Sequence, residues 1–172
     1  MDFVHFTCAK LVLKKNGKKM PLGMPPWKDK TVDEYRKMRN PSHNVKCVLT
    51  GKINDITVID FDNPYEFDKF IRKYPVFEDA YTVKTSKGFH VYSKYNPQYL
   101  TTTNTILGVD IRNDQAIVFG AGTVTEFGTE YTHYRGMQLD LEMPRAFYNY
   151  VKPKAKLSTE PFLCKIFDCN NF

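Results

Sequence analysis

The sequence predicts an α+β fold built on a largely antiparallel sheet. Three observations carry that expectation. Apolar runs of about four to six residues recur with turn-forming residues between them, as in short hairpin-linked strands. Only three segments carry helical start signals or helical apolar spacing: Thr31 to Met38, Tyr65 to Lys73 and Leu141 to Tyr150. The order is strand, helix, a series of strands, then helix, without the regular alternation of a doubly wound parallel sheet.

Taken in order, Leu11-Val12-Leu13 reads as a short strand, with Asn16-Gly17 as its hairpin turn. Pro21 to Pro26 reads as a connector, rich in proline with one glycine. Thr31 is a suitable N-cap, with Glu34 at the capping-box distance, and Asn40-Pro41-Ser42 ends that helix. Val45 to Thr50 and Ile56 to Phe61 are apolar strands separated by Gly51 and the Asn54-Asp55 turn. Asn63-Pro64 opens the second helix, whose Phe67, Phe70 and Ile71 share one face. Ala80 to Lys84 and Phe89 to Tyr92 read as a hairpin joined by Thr85-Ser86-Lys87-Gly88. Ile106 to Ile111 and Ala116 to Phe119 read as another, joined by Arg112-Asn113-Asp114-Gln115. Thr123 to Glu126 and Thr129 to Tyr134 form a third, turning at Phe127-Gly128. Pro144 starts the last helix, and from Val151 the chain reads as a basic tail.

Composition sets broad limits. A chain of 172 residues fits one domain, and 42% hydrophobic with 15% aromatic residues is enough for a core. No apolar run approaches the roughly 18 residues of a membrane helix. The start, Met1 to Phe6, lacks the basic and apolar regions of a signal peptide, so a soluble intracellular protein is expected. The net charge of +6 is mild, but its distribution is uneven. Lys10, Lys14, Lys15, Lys18 and Lys19 cluster early, Lys28, Lys30, Arg36, Lys37 and Arg39 follow, and Lys152, Lys154, Lys156 and Lys165 lie at the end. A basic surround with an acidic centre suits a polyanion held near bound metal, although a solvated surface gives the same pattern. Cys8, Cys47, Cys164 and Cys169 form no Cys-x-x-Cys pair, so zinc is not expected and buried thiols are.

Three places could carry chemistry. The first is Asp60 and Asp62, which end an apolar strand and point to one face. Paired carboxylates of this kind repel each other unless a cation lies between them. Asp62 could equally cap the following helix. The second is Ser86, Lys87, Gly88 and His90, which offer a hydroxyl, an ammonium, free backbone N–H groups and an imidazole to phosphate. The plain alternative is a hairpin turn beside an interior histidine. The third is Asp110 with Arg112: a third carboxylate ligand beside a phosphate-binding arginine, or simply an ion pair. Three carboxylates on a sheet can hold two divalent cations about 4 Å apart, the arrangement that clamps both oxygens of a phosphoryl transfer.

Together these segments resemble the archaeo-eukaryotic primase superfamily, and most of all the bifunctional primase–polymerase domains of plasmids, phages and large DNA viruses. The resemblance rests on Asp60-Phe61-Asp62, then Gly88-Phe89-His90, then Asp110, in that order. Pro25-Pro26-Trp27, Asn44 to Gly51, Gly108 to Arg112, Ile117 to Thr123 and Gly128 to Tyr131 add to it. Lys87 departs from the pattern, standing where relatives usually have a small residue. The resemblance implies an RRM-like catalytic sheet over residues 54–150, packed on a small N-terminal α/β unit, 1–53. Residues 151–172 would then be a tail or the start of a linker. It implies a DNA primase and polymerase in which Asp60, Asp62 and Asp110 hold two Mg²⁺ or Mn²⁺ ions. Ser86, Lys87, Gly88, His90 and Arg112 would bind the nucleotide. The implied partners are single-stranded DNA template, dNTPs or NTPs, and a helicase domain or subunit, with no membrane, in the cytoplasm or at the site of viral or plasmid DNA replication. Two rivals share parts of the pattern: a non-catalytic RRM-like module binding single-stranded nucleic acid, and a two-metal nuclease.

Overall fold

The computed structural model describes residues 2–14 and 19–152. The expected Asn16-Gly17 turn, together with Lys15, Lys18, Lys154, Lys156, Cys164, Lys165 and Cys169, lies outside the described residues.

The chain is α+β with antiparallel sheets, as its pattern predicts. A six-stranded sheet forms the centre. Its strands are β5 (Ile56–Phe61), β6 (Thr82–Lys84), β7 (Phe89–Lys94), β8 (Thr102–Asn104), β9 (Val109–Arg112) and β11 (Thr132–Arg135), in the spatial order β11-β6-β7-β5-β9-β8. A three-stranded sheet holds β1 (His5–Cys8), β4 (Val45–Leu49) and β10 (Ile117–Phe119). A two-stranded ribbon pairs β2 (Lys10–Leu13) with β3 (Lys19–Leu22).

Alternation along β5 gives the large sheet its two faces. Ile59 and Phe61 point toward α2 (Pro64–Lys73) and α3 (Arg145–Val151), where Phe67, Phe70, Phe77 and Phe147 close an aromatic core. The Phe61 and Phe70 ring centres are 5.5 Å apart, and burying one such side chain stabilises the fold by about 2 kcal/mol. Ile56 and Val58 point the other way and pack with Tyr92 and Tyr131 against Val48 and Val118 of the three-stranded sheet. Asp60 and Asp62 share that second face, one and two pleats further along.

The helix starts follow their caps. Thr31 and Glu34 form the expected capping box before α1 (Val32–Lys37), whose Tyr35 stacks on Phe6 at 6.3 Å between ring centres. For α2 the N-cap is Asn63, whose side chain accepts from the Tyr65 N–H, with Pro64 in the first turn. Asp62 therefore has no capping role.

Several expected elements differ. The proposed hairpin of residues 106–111 with 116–119 does not form: β9 belongs to the large sheet and β10 to the small one. The cause is Asn113, which is fully buried where the chain crosses over. Its Oδ1 accepts from Thr57 Oγ1 at 2.5 Å, and its Nδ2 donates to the Asn96 and Tyr99 carbonyls at 3.0 and 2.5 Å. Thr50 Oγ1 donates to its carbonyl, completing a knot between the sheets. Strand β9 starts at Val109, because residues 105–108 turn with Gly108 at φ +65°. Pro21 lies inside β3 rather than in a connector, tolerated because a two-stranded ribbon has open edges. The small sheet also takes β10 from well beyond residue 53, so its strands do not follow the expected division there. Cys8 and Cys47 are buried free thiols with sulfurs 3.5 Å apart.

Candidate active site

The register of the central strands assembles the site. Asp60 on β5 is paired with His90 on β7 at one side and with Asp110 on β9 at the other. Three chemically active side chains thus stand abreast on adjacent strands, and Arg112 follows Asp110 on the same face. His90 Nε2 lies 3.2 Å from Asp60 Oδ1. The contact is an ion-pair distance without hydrogen-bond alignment, which leaves Asp60 Oδ1 without a hydrogen-bond partner; the other ring nitrogen, His90 Nδ1, is also buried and lacks one. Arg112 Nη2 bridges the carboxylates, 2.5 Å from Asp110 Oδ2 and 3.9 Å from Asp60 Oδ2. Asn104 N–H donates to the other Asp110 oxygen at 3.2 Å.

Asp62 sits at the rim, with its side chain 48% exposed. Its N–H donates to the Gly108 carbonyl at 2.9 Å, which ties the end of β5 to the turn before β9. Lys19 Nζ, from β3, lies 3.8 Å from Asp62 Oδ1 and 5.4 Å from the centre of the Tyr131 ring.

These charges separate the two central carboxylates. Burial alone would raise Asp60, but His90, then Lys19 and Arg112, outweigh it and hold its carboxyl below the usual range. Burial also raises Asp110; Arg112 opposes this, while the charges of Asp60 and Asp62 add to it, and the carboxyl stays above the usual range. For Lys19, burial favours the neutral amine, yet Tyr131, Asp60 and Asp62 prevail and raise it.

The Ser86–His90 loop differs from expectation in one respect. Its Lys87 and Gly88 N–H groups are not free for phosphate: both donate to Thr85 Oγ1, at 3.3 and 3.0 Å. Gly88 matters for space, since a Cβ there would run into the Phe61 carbonyl oxygen of β5. Ser86 and Lys87 remain exposed at the tip, and Ser86 Oγ is 3.4 Å from Tyr131 Oη. Tyr131 is fully buried and its ring meets His90 edge-on at 6.0 Å. Tyr131 entered the sequence reading only as the end of the Gly128 to Tyr131 strand signature, with no role at the site. It placed Lys19 only in a basic cluster, with nothing to single it out among its neighbours.

The donor set fits a hard divalent cation. The donors available here are carboxylate oxygens, and Asp60 carries a buried oxygen lacking a hydrogen-bond partner. Among the described residues no three His, Cys, Asp or Glu side chains form a ready cage. Arg112 and Lys19 occupy the neighbourhood of the carboxylates instead. A magnesium-like ion needs only one or two carboxylates, with water and substrate completing its shell.

Residues 5–146 match the family model of the bifunctional DNA primase/polymerase N-terminal domain. The chain belongs to this family. The matched span contains Asp60, Asp62, Ser86, Lys87, Gly88, His90, Asp110 and Arg112, and also Lys19 and Tyr131. Membership of the primase/polymerase family implies a DNA template and nucleotide substrates. No curated protein matches the chain. Among the described residues no helix is long and apolar enough to cross a membrane.

Proposed function

We propose that this domain is a template-directed nucleotidyltransferase that makes or extends primers on single-stranded DNA. The observation that carries the reading is the register itself: Asp60 in the central strand, with His90 and Asp110 directly opposite on its two neighbours. A module that only bound nucleic acid would have no use for a buried carboxylate beside an imidazole and a second carboxylate, since burying charge is costly.

In this reading Asp60, Asp62 and Asp110 are the catalytic carboxylates and would hold Mg²⁺ or Mn²⁺. Such a pair of ions, when bound, neutralises charge on the attacking and leaving oxygens. Asp60, ionised most readily, is the permanent anchor. Asp110 becomes available as Arg112 releases it, and Arg112 then faces the substrate phosphates. His90, Ser86 and Lys87 hold the incoming triphosphate, and Gly88 lets their loop lie against the end of β5. The 3′-hydroxyl of the primer, or of the first nucleotide, gives up its proton to solvent water and attacks the α-phosphate, and the new ester bond forms as the bond to pyrophosphate breaks. The residues contribute mainly position and preorganised charge, as is usual in phosphoryl transfer. Basic surface around the site would track the single-stranded template.

The test is an incorporation assay. Purified protein is given single-stranded templates with and without primer, each nucleotide type, and Mg²⁺ or Mn²⁺. Elongated product is expected, and none from an Asp60→Ala/Asp62→Ala variant. Shortened strands in place of elongated ones would support a nuclease. DNA binding that persists in chelator, with no incorporation under any condition, would support a binding module.

A further inference from the structure

Lys19 belongs to neither the catalytic sheet nor the loop on which the proposed nucleotide grip lies. It begins β3, on the separate two-stranded ribbon. Its side chain is nevertheless drawn inward, 14% exposed, with its ammonium 3.8 Å from Asp62 and over the Tyr131 ring. The same tyrosine places its hydroxyl 3.4 Å from Ser86 Oγ and its ring edge against His90. The ammonium therefore lies between the carboxylates and the Ser86–His90 loop. Ordering a lysine side chain costs rotamer entropy that an ordinary surface ion pair barely offsets. Here a fully buried aromatic ring holds the chain in addition to the carboxylates.

The charge balance suggests what this arrangement does. Three carboxylates face two permanent cations, Arg112 and Lys19. A divalent ion held by Asp60 and Asp62 would repel the ammonium, whose flexible four-carbon stem lets it move away from the carboxylates. The nearest new negative charge would be the substrate triphosphate beside Ser86 and His90. We propose that Lys19 is a triphosphate-binding residue that neutralises Asp60 and Asp62 in the ion-free protein and transfers to a phosphate oxygen of the incoming nucleotide once the carboxylates are loaded. The inference rests on the nucleotidyltransferase reading and adds to it a switch between carboxylate and phosphate.

This role makes two demands of opposite sign, which a merely structural lysine would not meet together. Removing the ammonium frees carboxylates for metal but takes a charge-assisted contact from the nucleotide. Calorimetry with Mn²⁺ alone and steady-state extension assays on the parent, Lys19→Met and Lys19→Arg test both. Lys19→Met is expected to bind Mn²⁺ at least as tightly as the parent. It should need at least about tenfold more nucleoside triphosphate for half-maximal rate, with the saturated rate far less affected. Lys19→Arg should recover much of the nucleotide dependence. Weaker Mn²⁺ binding by Lys19→Met, or an unchanged nucleotide requirement in a working enzyme, overturns the inference alone. A parent that incorporates nothing overturns the nucleotidyltransferase reading and this inference with it.

Discussion

Asp60 and Asp110 face each other across one pair of strands, yet their surroundings push them in opposite directions. Asp60 has His90 at 3.2 Å and the cations Lys19 and Arg112 near it, while Asp110 meets burial and two neighbouring negative charges. Carbon-detected NMR of the two carboxyls in metal-free protein should show Asp110 taking up its proton above the ordinary aspartate value of about 4, and Asp60 only below it. The reverse order would contradict the electrostatics described. The stability consequences have opposite signs. Asp60 is depressed in the fold, so its contribution is present above the unfolded value and is lost as pH falls toward its native value. Asp110 is raised, so its ionisation costs stability, and that cost is relieved as pH falls through its native value. Asp60→Asn should accordingly lose stability near neutrality and show a shallower decline below about pH 4 in thermal melting. The pairing of Asp110 with Arg112 and the alignment of Asp60 with Asp62 were both legible in the sequence, because strand alternation alone sets which residues share a face. The cross-strand neighbours of Asp60 were not, since register depends on partners distant in sequence.

Two short elements hold the row of Asp60, His90 and Asp110 in place, and each can be tested by one substitution. Gly88→Ala would drive a methyl group into the Phe61 carbonyl oxygen, forcing β7 away from the end of β5. A loss of about 2 kcal/mol in denaturant unfolding is expected, together with reduced incorporation, because Asp60 and His90 lie one and two residues from that contact. Helix α2 is capped by Asn63 and not by Asp62. Asn63→Ala should therefore cost about 1 kcal/mol, while Asp62→Asn leaves the helix cap intact. Equal losses from the two would show that both residues cap. The strands β4, β5 and β7 and the helices α1 and α2 were readable from local apolar pattern and caps. Strand β8 was not, because Thr102, Thr103 and Asn104 carry no apolar alternation and form an edge. Strand β1 was hidden in a stretch without clear period, and becomes a strand by pairing with β4. The resemblance to the primase superfamily, carried by three short motifs, anticipated the family more surely than the pattern of elements anticipated the topology.

At the scale of the molecule, the site depends on two sheets being locked together beneath it. Val48 and Val118 of the small sheet pack under Val58 and Ile56, and Asn113 ties both sheets through four hydrogen bonds to Thr50, Thr57, Asn96 and Tyr99. Asn113→Ala leaves several of those buried groups unpaired and should destabilise the protein by about 3 kcal/mol, read as a lowered denaturant midpoint. A change under about 0.5 kcal/mol would mean the crossover is held by packing alone. The crossover was invisible to a reading of neighbouring strands as hairpins, since Ile111 and Ile117 are close in sequence and enter different sheets. The carboxylates, His90, Arg112 and Lys19 gather further along the same face. The most direct measurement is anomalous scattering from crystals grown with Mn²⁺ and a non-hydrolysable deoxynucleoside triphosphate. Manganese peaks are expected beside Asp60, Asp62 and Asp110, with Arg112 released from Asp110 and the triphosphate lying toward Ser86 and His90. Nucleotide bound away from this face, or manganese absent from it while Arg112 still bridges Asp60 and Asp110, would contradict the assignment of the site.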